Sequence, residues 1–329
     1  MKFRLSPYVT TVTIGLCLVC ILIPDCNKSN NKGNTNLDTA TSTITDILKS
    51  SANSSYFYYA MKRTHLDSMF SSTEMFQVFT VFVPTDSAFE AAGITKSILM
   101  ASTDSALKRI VLYLTLNRKL LSSYIPTPDY RFTTADGESA YFTNNPHGFF
   151  INGIPVSRGD IVVKNGVLQF IWNTVPLPPA GSLMQILQSD TSFAFLIAAF
   201  NRATYHPIGL VPGGFGQMLT SLNPYTFFAP TNHAFQINGY PDTATINAAN
   251  QDSLGFILLG HMLPGFTFAC DLSDGQRIYT IYADTIVVSI SGSSLKVAGH
   301  SNNVPANILK ANIIATNGVI YSIDQVLKH

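Results

Sequence analysis

Twice along the chain a short apolar run ends in proline and gives way to a polar pair. The first is Phe79-Thr-Val-Phe-Val-Pro84, followed by Thr85-Asp-Ser-Ala-Phe89. The second is Tyr225-Thr-Phe-Phe-Ala-Pro230, followed by Thr231-Asn-His-Ala-Phe235. A continuous run of β-branched and aromatic residues of this length predicts a buried strand. Pro84 and Pro230 end it, because proline has no N–H to give to a ladder. Thr85 and Thr231 then offer a side-chain oxygen to the first turn of a short helix. Phe89 and Phe235 turn inward from that helix. At an offset of 146 (225 − 79), Thr80, Phe82, Pro84, Thr85 and Phe89 recur as Thr226, Phe228, Pro230, Thr231 and Phe235. No residue of the run is a nucleophile, a base or a metal ligand, so the run reads as a core-forming strand-to-helix corner.

The pattern around each corner repeats as well. Ile44, Ile47 and Leu48, then Tyr56, Tyr59 and Ala60, keep helical spacing ahead of the first corner. Leu183, Ile186 and Leu187, then Phe195, Ala198 and Ala199, do so ahead of the second. Two short helices are therefore expected before each signature strand. A third helix follows each corner, over Leu107–Leu116 and Leu254–Leu263. Beyond it the chain turns strand-rich. Tyr141–Thr143, Phe149–Ile154 and Asp160–Val163 predict strands in the first half. Arg277–Tyr282, Thr285–Ile290 and Ser294–Val297 predict them in the second. Asp136-Gly137 and Ser291-Gly292 mark turns. Each half closes on Asn-Gly and a strand: Asn165-Gly166-Val-Leu-Gln-Phe-Ile171 and Asn317-Gly318-Val-Ile-Tyr-Ser-Ile323. Asn-Gly is a tight-turn signal. Pro176–Gly181 is the stiff linker between the halves.

The corner resembles the first signature of the fasciclin domain family, roughly T-V-F-A-P-T-[ND]-x-A-F, and the closing run resembles its last, roughly N-G-V-I-x-x-I-D-x-V-L. The second half carries the closing motif through Asp324 to Leu327; in the first, Trp172 stands where Asp324 does. The family's helix ends in a Tyr-His pair that serves receptor adhesion in some animal members. Here it is split, with Tyr113 in the first half and His261 in the second. Read from composition, His261 is a core histidine bonded to backbone. The resemblance implies an α+β fold of two tandem fasciclin-like domains, each a twisted β-wedge or sandwich flanked by short helices. Their expected bounds are 42–177 and 178–329.

The amino terminus adds a location. Lys2 and Arg4 precede sixteen uncharged residues, Val9 to Pro24, about the length of a signal peptide's apolar core. Residues 1–25 are expected to be that signal peptide. Cys26 is placed as the lipidated cysteine of a bacterial lipoprotein, with 26–41 as a polar tether; the alternative is an uncleaved membrane anchor. Cys17 and Cys20 lie inside the apolar run, where a redox or zinc role has no polar surroundings. With Cys26 lipidated, Cys270 is the lone cysteine of the folded part, so no internal disulfide is expected.

Composition narrows the function. Only 12% of residues are charged and the net charge is +1, which leaves no basic stripe for nucleic acid. No G-x-S-x-G or H-E-x-x-H occurs, and Gly209–Gly216 lacks the Lys-Ser/Thr of a phosphate loop. No catalytic residue, metal ligand or cofactor is expected. Asp271, Asp274 and Asp284 read as turn residues, with a weak cation site as the alternative for the first two. Tyr56-Phe-Tyr-Tyr59 puts rings all round a helix, so either one is exposed or the helix is wedged between domains. Repeat offsets grow along the chain, and the largest insertion spans Tyr205–Leu222. That segment is expected to be either a binding loop with Tyr205 and Phe215 as apolar anchors or a disordered insertion. The resemblance implies a non-catalytic envelope adhesion protein contacting a surface or matrix protein or a polysaccharide. The alternatives are an accessory glycan-binding lipoprotein of an outer-membrane uptake system and, from another class, an envelope hydrolase.

Overall fold

The signature corners form as the pattern predicts, and each is preceded by three helices rather than two. The computed structural model describes residues 39–74, 77–125, 130–203, 214–221 and 223–328. The first repeat opens with α1 (Ile44–Ser50), α2 (Ser55–Arg63) and α3 (Asp67–Ser71). Thr43 and Asp46 start α1 with a reciprocal capping box. Then come β1 (Phe79–Pro84), α4 (Asp86–Ala91), α5 (Lys96–Ala101) and α6 (Asp104–Tyr113). The hydroxyls of Thr85, Thr95 and Thr103 accept the amide N–H three residues on and so begin α4, α5 and α6. Strands follow: β2 (Thr115–Leu116), β3 (Tyr130–Thr133), β4 (Ser139–Asn145), β5 (Gly148–Ile151), β6 (Ile154–Pro155), β7 (Arg158–Val163) and β8 (Gly166–Ile171).

The second repeat runs in the same order. Its helices are α7 (Leu183–Ser189), α8 (Ala194–Arg202), α9 (Gly214–Thr220), then, after β9 (Tyr225–Pro230), α10 (Asn232–Ile237), α11 (Thr243–Ala248) and α12 (Gln251–Gly260). Its strands continue as β10 (Met262–Pro264), β11 (Arg277–Tyr279), β12 (Thr285–Ser291), β13 (Ser294–Gly299), β14 (Ala306–Ala315) and β15 (Gly318–Ile323). The third opening helices escape the pattern for a local reason. α3 has five residues, and α9 carries Gly214 and Gly216, too few periodic positions for a helical signal.

The two repeats differ in how their sheets join. The first has two four-stranded sheets, β2-β1-β8-β7 and β3-β4-β5-β6. The second has one of seven, β10-β9-β15-β14-β13-β12-β11. β14 spans ten residues and pairs with β13 at one end and β15 at the other. At the corresponding place the first repeat is interrupted between β6 and β7 by Val156-Ser157. Both repeats keep a bulge there. Asp160 and Asn312 have φ of 57° each and lie 152 apart (312 − 160), the offset of the closing motifs. The side chain at each bulge ties down a 3-10 turn: Asp160 accepts from Ser122, Asn312 from Ala269.

Burial follows the runs. All six residues of β1, β9 and β15 are buried. Phe89 and Phe235 are fully so. Residues Leu37–His329 fall in one compact unit, and the linker is tied to both repeats. Arg109 donates to the Pro179 carbonyl at 2.9 Å, and the Thr316 N–H donates to that of Gly181 at 2.9 Å. Among the described residues no single helix is long and apolar enough to cross a membrane. The expected signal peptide and Cys26 lie outside the described residues.

Candidate functional site

The two signatures of each repeat, far apart in sequence, are neighbours in space. β1 lies parallel to β8, with Phe79 opposite Gly166 and Pro84 opposite Ile171. β9 lies parallel to β15, with Tyr225 opposite Gly318 and Pro230 opposite Ile323. The asparagine before each glycine clamps the opening helices to this pair. Asn165 accepts from the Ile44 N–H at 2.9 Å and donates to the Phe70 and Ser72 carbonyls at 2.7 and 2.9 Å. Asn317 accepts from the Leu183 N–H at 2.8 Å and donates to the Leu219 and Ser221 carbonyls at 2.8 and 2.9 Å. The glycines are there for close approach, not for a left-handed turn: neither has a positive φ. A Cβ on Gly166 would overlap the Phe79 carbonyl oxygen, and one on Gly318 that of Tyr225. Thr80 and Thr226 complete the pair. Each buried hydroxyl donates to one loop carbonyl (Arg118, Gly265) and accepts one loop N–H (Leu120, Thr267).

The split Tyr-His pair is buried on both sides. Tyr113 donates to the Ser139 carbonyl at 3.2 Å and accepts from Asn152 at 2.8 Å. Burial pushes its phenol above the ordinary range, so it stays a neutral donor. His261 is fully buried. Its Nε2 accepts the Leu327 N–H at 2.8 Å, so its proton is on Nδ1, which donates to the Ile257 carbonyl at 2.7 Å. Both ring nitrogens serve backbone, as the composition reading of a core histidine expects. Neither side chain is exposed in this fold.

What reaches the surface is the shell around His261. Ile257 and Leu327, which hold its ring, also line a cavity of about 620 Å³. Phe256 and Tyr282 stand exposed on its rim, with ring centroids 5.0 Å apart. Beside them His300 Nδ1 lies 3.1 Å from the Asp284 carboxylate. The site offers a paired aromatic surface next to a short acid–histidine contact. Sequence reasoning missed Phe256 and Tyr282. The sequence pattern assigns Phe256 to a helix and Tyr282 to a strand without marking either as exposed.

Other candidates are placed plainly. Phe215 is not a surface anchor: it is buried on α9 against Phe200, ring centroids 5.8 Å apart. Seven residues of the expected loop fold into that helix, and its apolar residues serve the core. Tyr205 lies outside the described residues. None of the four rings at Tyr56–Tyr59 is exposed or wedged between repeats. Phe57 is buried, and the tyrosines pack on the first repeat's own core, with Tyr56 donating to Glu90 at 3.0 Å. Asp271, Asp274 and Asp284 accept from nearby backbone, at Phe268, Ile290 and Thr285, as turn residues do. Asp324 accepts twice from Asn307, at 2.7 and 2.6 Å. No group of three possible metal ligands occurs among the described residues.

Paired parallel signature strands, an asparagine clamp and a threonine-capped corner, each built twice, define a tandem α+β repeat protein. The sequence pattern of the Fasciclin domain matches residues 52–175 and 210–329. The chain belongs to the fasciclin domain family. It is 30% identical over 159 residues to the transforming growth factor-beta-induced protein ig-h3 of Sus scrofa, across 48% of this chain and 21% of that protein. The chain thus spans about a fifth of that relative. It is 29% identical over 152 residues to protein sll1483 of Synechocystis sp., across 45% of this chain and 73% of that one. A solved FAS1 domain pair from the insect cell adhesion molecule Fasciclin I aligns with a TM-score of 0.40 at 18% identity, over 83% of this chain and 96% of that one.

Proposed function

We propose that this chain is a non-catalytic adhesion protein of the cell envelope, held to the membrane by lipid on Cys26. The observation that carries the reading is that both repeats match the Fasciclin domain, a family whose resemblance implies adhesion. The repeated signatures are spent on the fold, so contact falls to the surface, and the patch of Phe256, Tyr282 and His300 is the part proposed to meet a protein partner. The lipid anchor is supported by the uncharged run Val9–Pro24 ending just ahead of Cys26 and a polar tether. A multiply acylated cysteine binds membranes stably, where one chain alone binds marginally. Cys26→Ala should abolish labelling by a fatty-acid probe; undiminished labelling would refute the anchor.

A second reading, glycan binding, is favoured by one observation: Trp172, the only tryptophan, is exposed. An array carrying matrix proteins and envelope polysaccharides, probed with the purified chain, separates the two. Binding to protein spots that is lost with Phe256→Ala/Tyr282→Ala supports the protein-contact reading. Binding to no spot at all would count against adhesion in either form.

A further inference from the structure

One corner of the first repeat departs from its twin. Trp172 holds the position of Asp324, at the offset of 152 (324 − 172). In the second repeat Asp324 is gripped by Asn307 through backbone and side chain. The same offset puts Pro155 in the place of Asn307 (307 − 155 = 152). Proline has no N–H and no side-chain donor, so a carboxylate at 172 would have nothing to hold. The residue found instead is not used to fill the core: Trp172 is 55% exposed. Its backbone is fixed, since its N–H donates to Ser157 Oγ at 3.2 Å.

Next to the indole is a cavity of about 520 Å³, within the size range of ligand pockets. Phe170, Arg158, Asp86, Asn53 and Ser54 line it with Trp172. Arg158 stands opposite Phe170 across β7 and β8, Trp172 follows just past the end of β8, and all three line the cavity. Their commitments differ. The Asp86 carboxylate already accepts from Ser55 Oγ at 2.7 Å and the Tyr56 N–H at 2.8 Å. The Arg158 guanidinium makes no hydrogen bond or ion pair with any described residue. The Ser54 hydroxyl is buried and has no partner among the described residues; such a group calls for an explanation. The corner therefore combines an open aromatic face, a free guanidinium and small polar groups.

We propose that this corner binds a uronic acid unit of an acidic polysaccharide. The CH face of the pyranose stacks on Trp172, its carboxylate takes the guanidinium fork of Arg158, and Asn53 and Ser54 meet ring hydroxyls. A phosphate would use the arginine but not the ring, and a neutral sugar the ring but not the charge. The site deepens the glycan reading above and rests on it.

Because the chain has one tryptophan, its own fluorescence reports on the site. The full chain is titrated with a linear tetramer of galacturonic acid and, separately, with maltotetraose. The uronate should give a saturable change, and maltotetraose should bind about tenfold or more weakly. Arg158→Gln, which keeps the indole, should weaken uronate binding about tenfold or more with an unchanged melting temperature, the loss of a charge-assisted hydrogen bond. No saturable change with the uronate, equal binding of both tetramers, or full affinity in folded Arg158→Gln would each overturn the proposal. If the titration is silent while the array finds ligands, the site is wrong and adhesion stands. If the titration saturates while the protein and polysaccharide array is silent, the site stands and adhesion falls.

Discussion

Asn165 and Asn317 each bind three backbone groups from two separate segments. Removing the amide strands all three in buried or half-buried surroundings, at about 1–3 kcal/mol for each group left without a partner. Asn317→Ala should therefore lower the urea midpoint sharply, and Asn317→Asp should do no better, since a carboxylate cannot donate to the Leu219 and Ser221 carbonyls. Phe89→Ala and Phe235→Ala, which empty fully buried sites, should each cost roughly 3–5 kcal/mol. Four carboxyls link stability to acid. Thr43 holds Asp46 below the ordinary range, Ser192 does so for Asp190, and Thr245 for Asp242. Burial pushes Asp160 up, but hydrogen bonds from Ser122 and Gln169 outweigh it and leave it lowered. Each binds its proton more weakly folded than unfolded, so each adds stability above the ordinary carboxylate pKa, near 3.9, and loses it as pH falls below. The denaturant midpoint should drop from about pH 5 toward pH 3; a flat profile there would contradict these assignments.

At the scale of elements, the parallel pairs β1–β8 and β9–β15 set the architecture. Their register depends on two glycines that let a carbonyl oxygen sit where a Cβ would be. Gly318→Ala should separate β9 from β15, and amide exchange should show both strands losing protection together. Protection retained in both strands would mean the sheet can absorb the extra atom. These strands were legible in the sequence because each is a continuous apolar run bounded by proline or Asn-Gly. β14, the longest strand, was not. Two register shifts, between Ile308 and Lys310 and between Lys310 and Ile313, break its alternation. Asn307, Lys310 and Asn312 face other duties, so no period of two survives along it. α9 was unreadable for a different reason: its glycines and its place in an insertion look like loop, while Phe215, Met218 and Leu219 are core. His261 was legible as a core residue, because a lone histidine at the end of an apolar helix has backbone within reach. Trp172 was legible as a departure from the closing motif, but not as exposed, since tryptophan is ordinarily drawn inward.

Across the whole molecule, the repeats meet through a small set of contacts. Tyr141 stacks on Phe266, centroids 4.0 Å apart, and lies 5.7 Å from Phe268. Asn145 donates to the Cys270 carbonyl at 2.9 Å, and Asn312 donates to that of Gly153 at 3.2 Å. Gly153 is needed there, because a Cβ would come within 2.6 Å of the Asn312 amide nitrogen. These contacts couple the repeats. Calorimetry of the wild type should give one transition, and Tyr141→Ala/Asn145→Ala should split it into two; an unsplit transition in the variant would mean that the linker alone carries the coupling. One compact unit carries both the Phe256–Tyr282 patch and the Trp172 corner, the two surfaces to which the proposed adhesion is assigned. The most direct measurement of that claim is attachment itself. Beads carrying the full chain are pressed onto surfaces coated with matrix protein or acidic polysaccharide, and the force needed to detach them is recorded. The account predicts firm attachment to at least one coating, weakened by Phe256→Ala/Tyr282→Ala or by Trp172→Ala in variants that melt like the wild type. Detachment at the force of bare beads on every coating would contradict it.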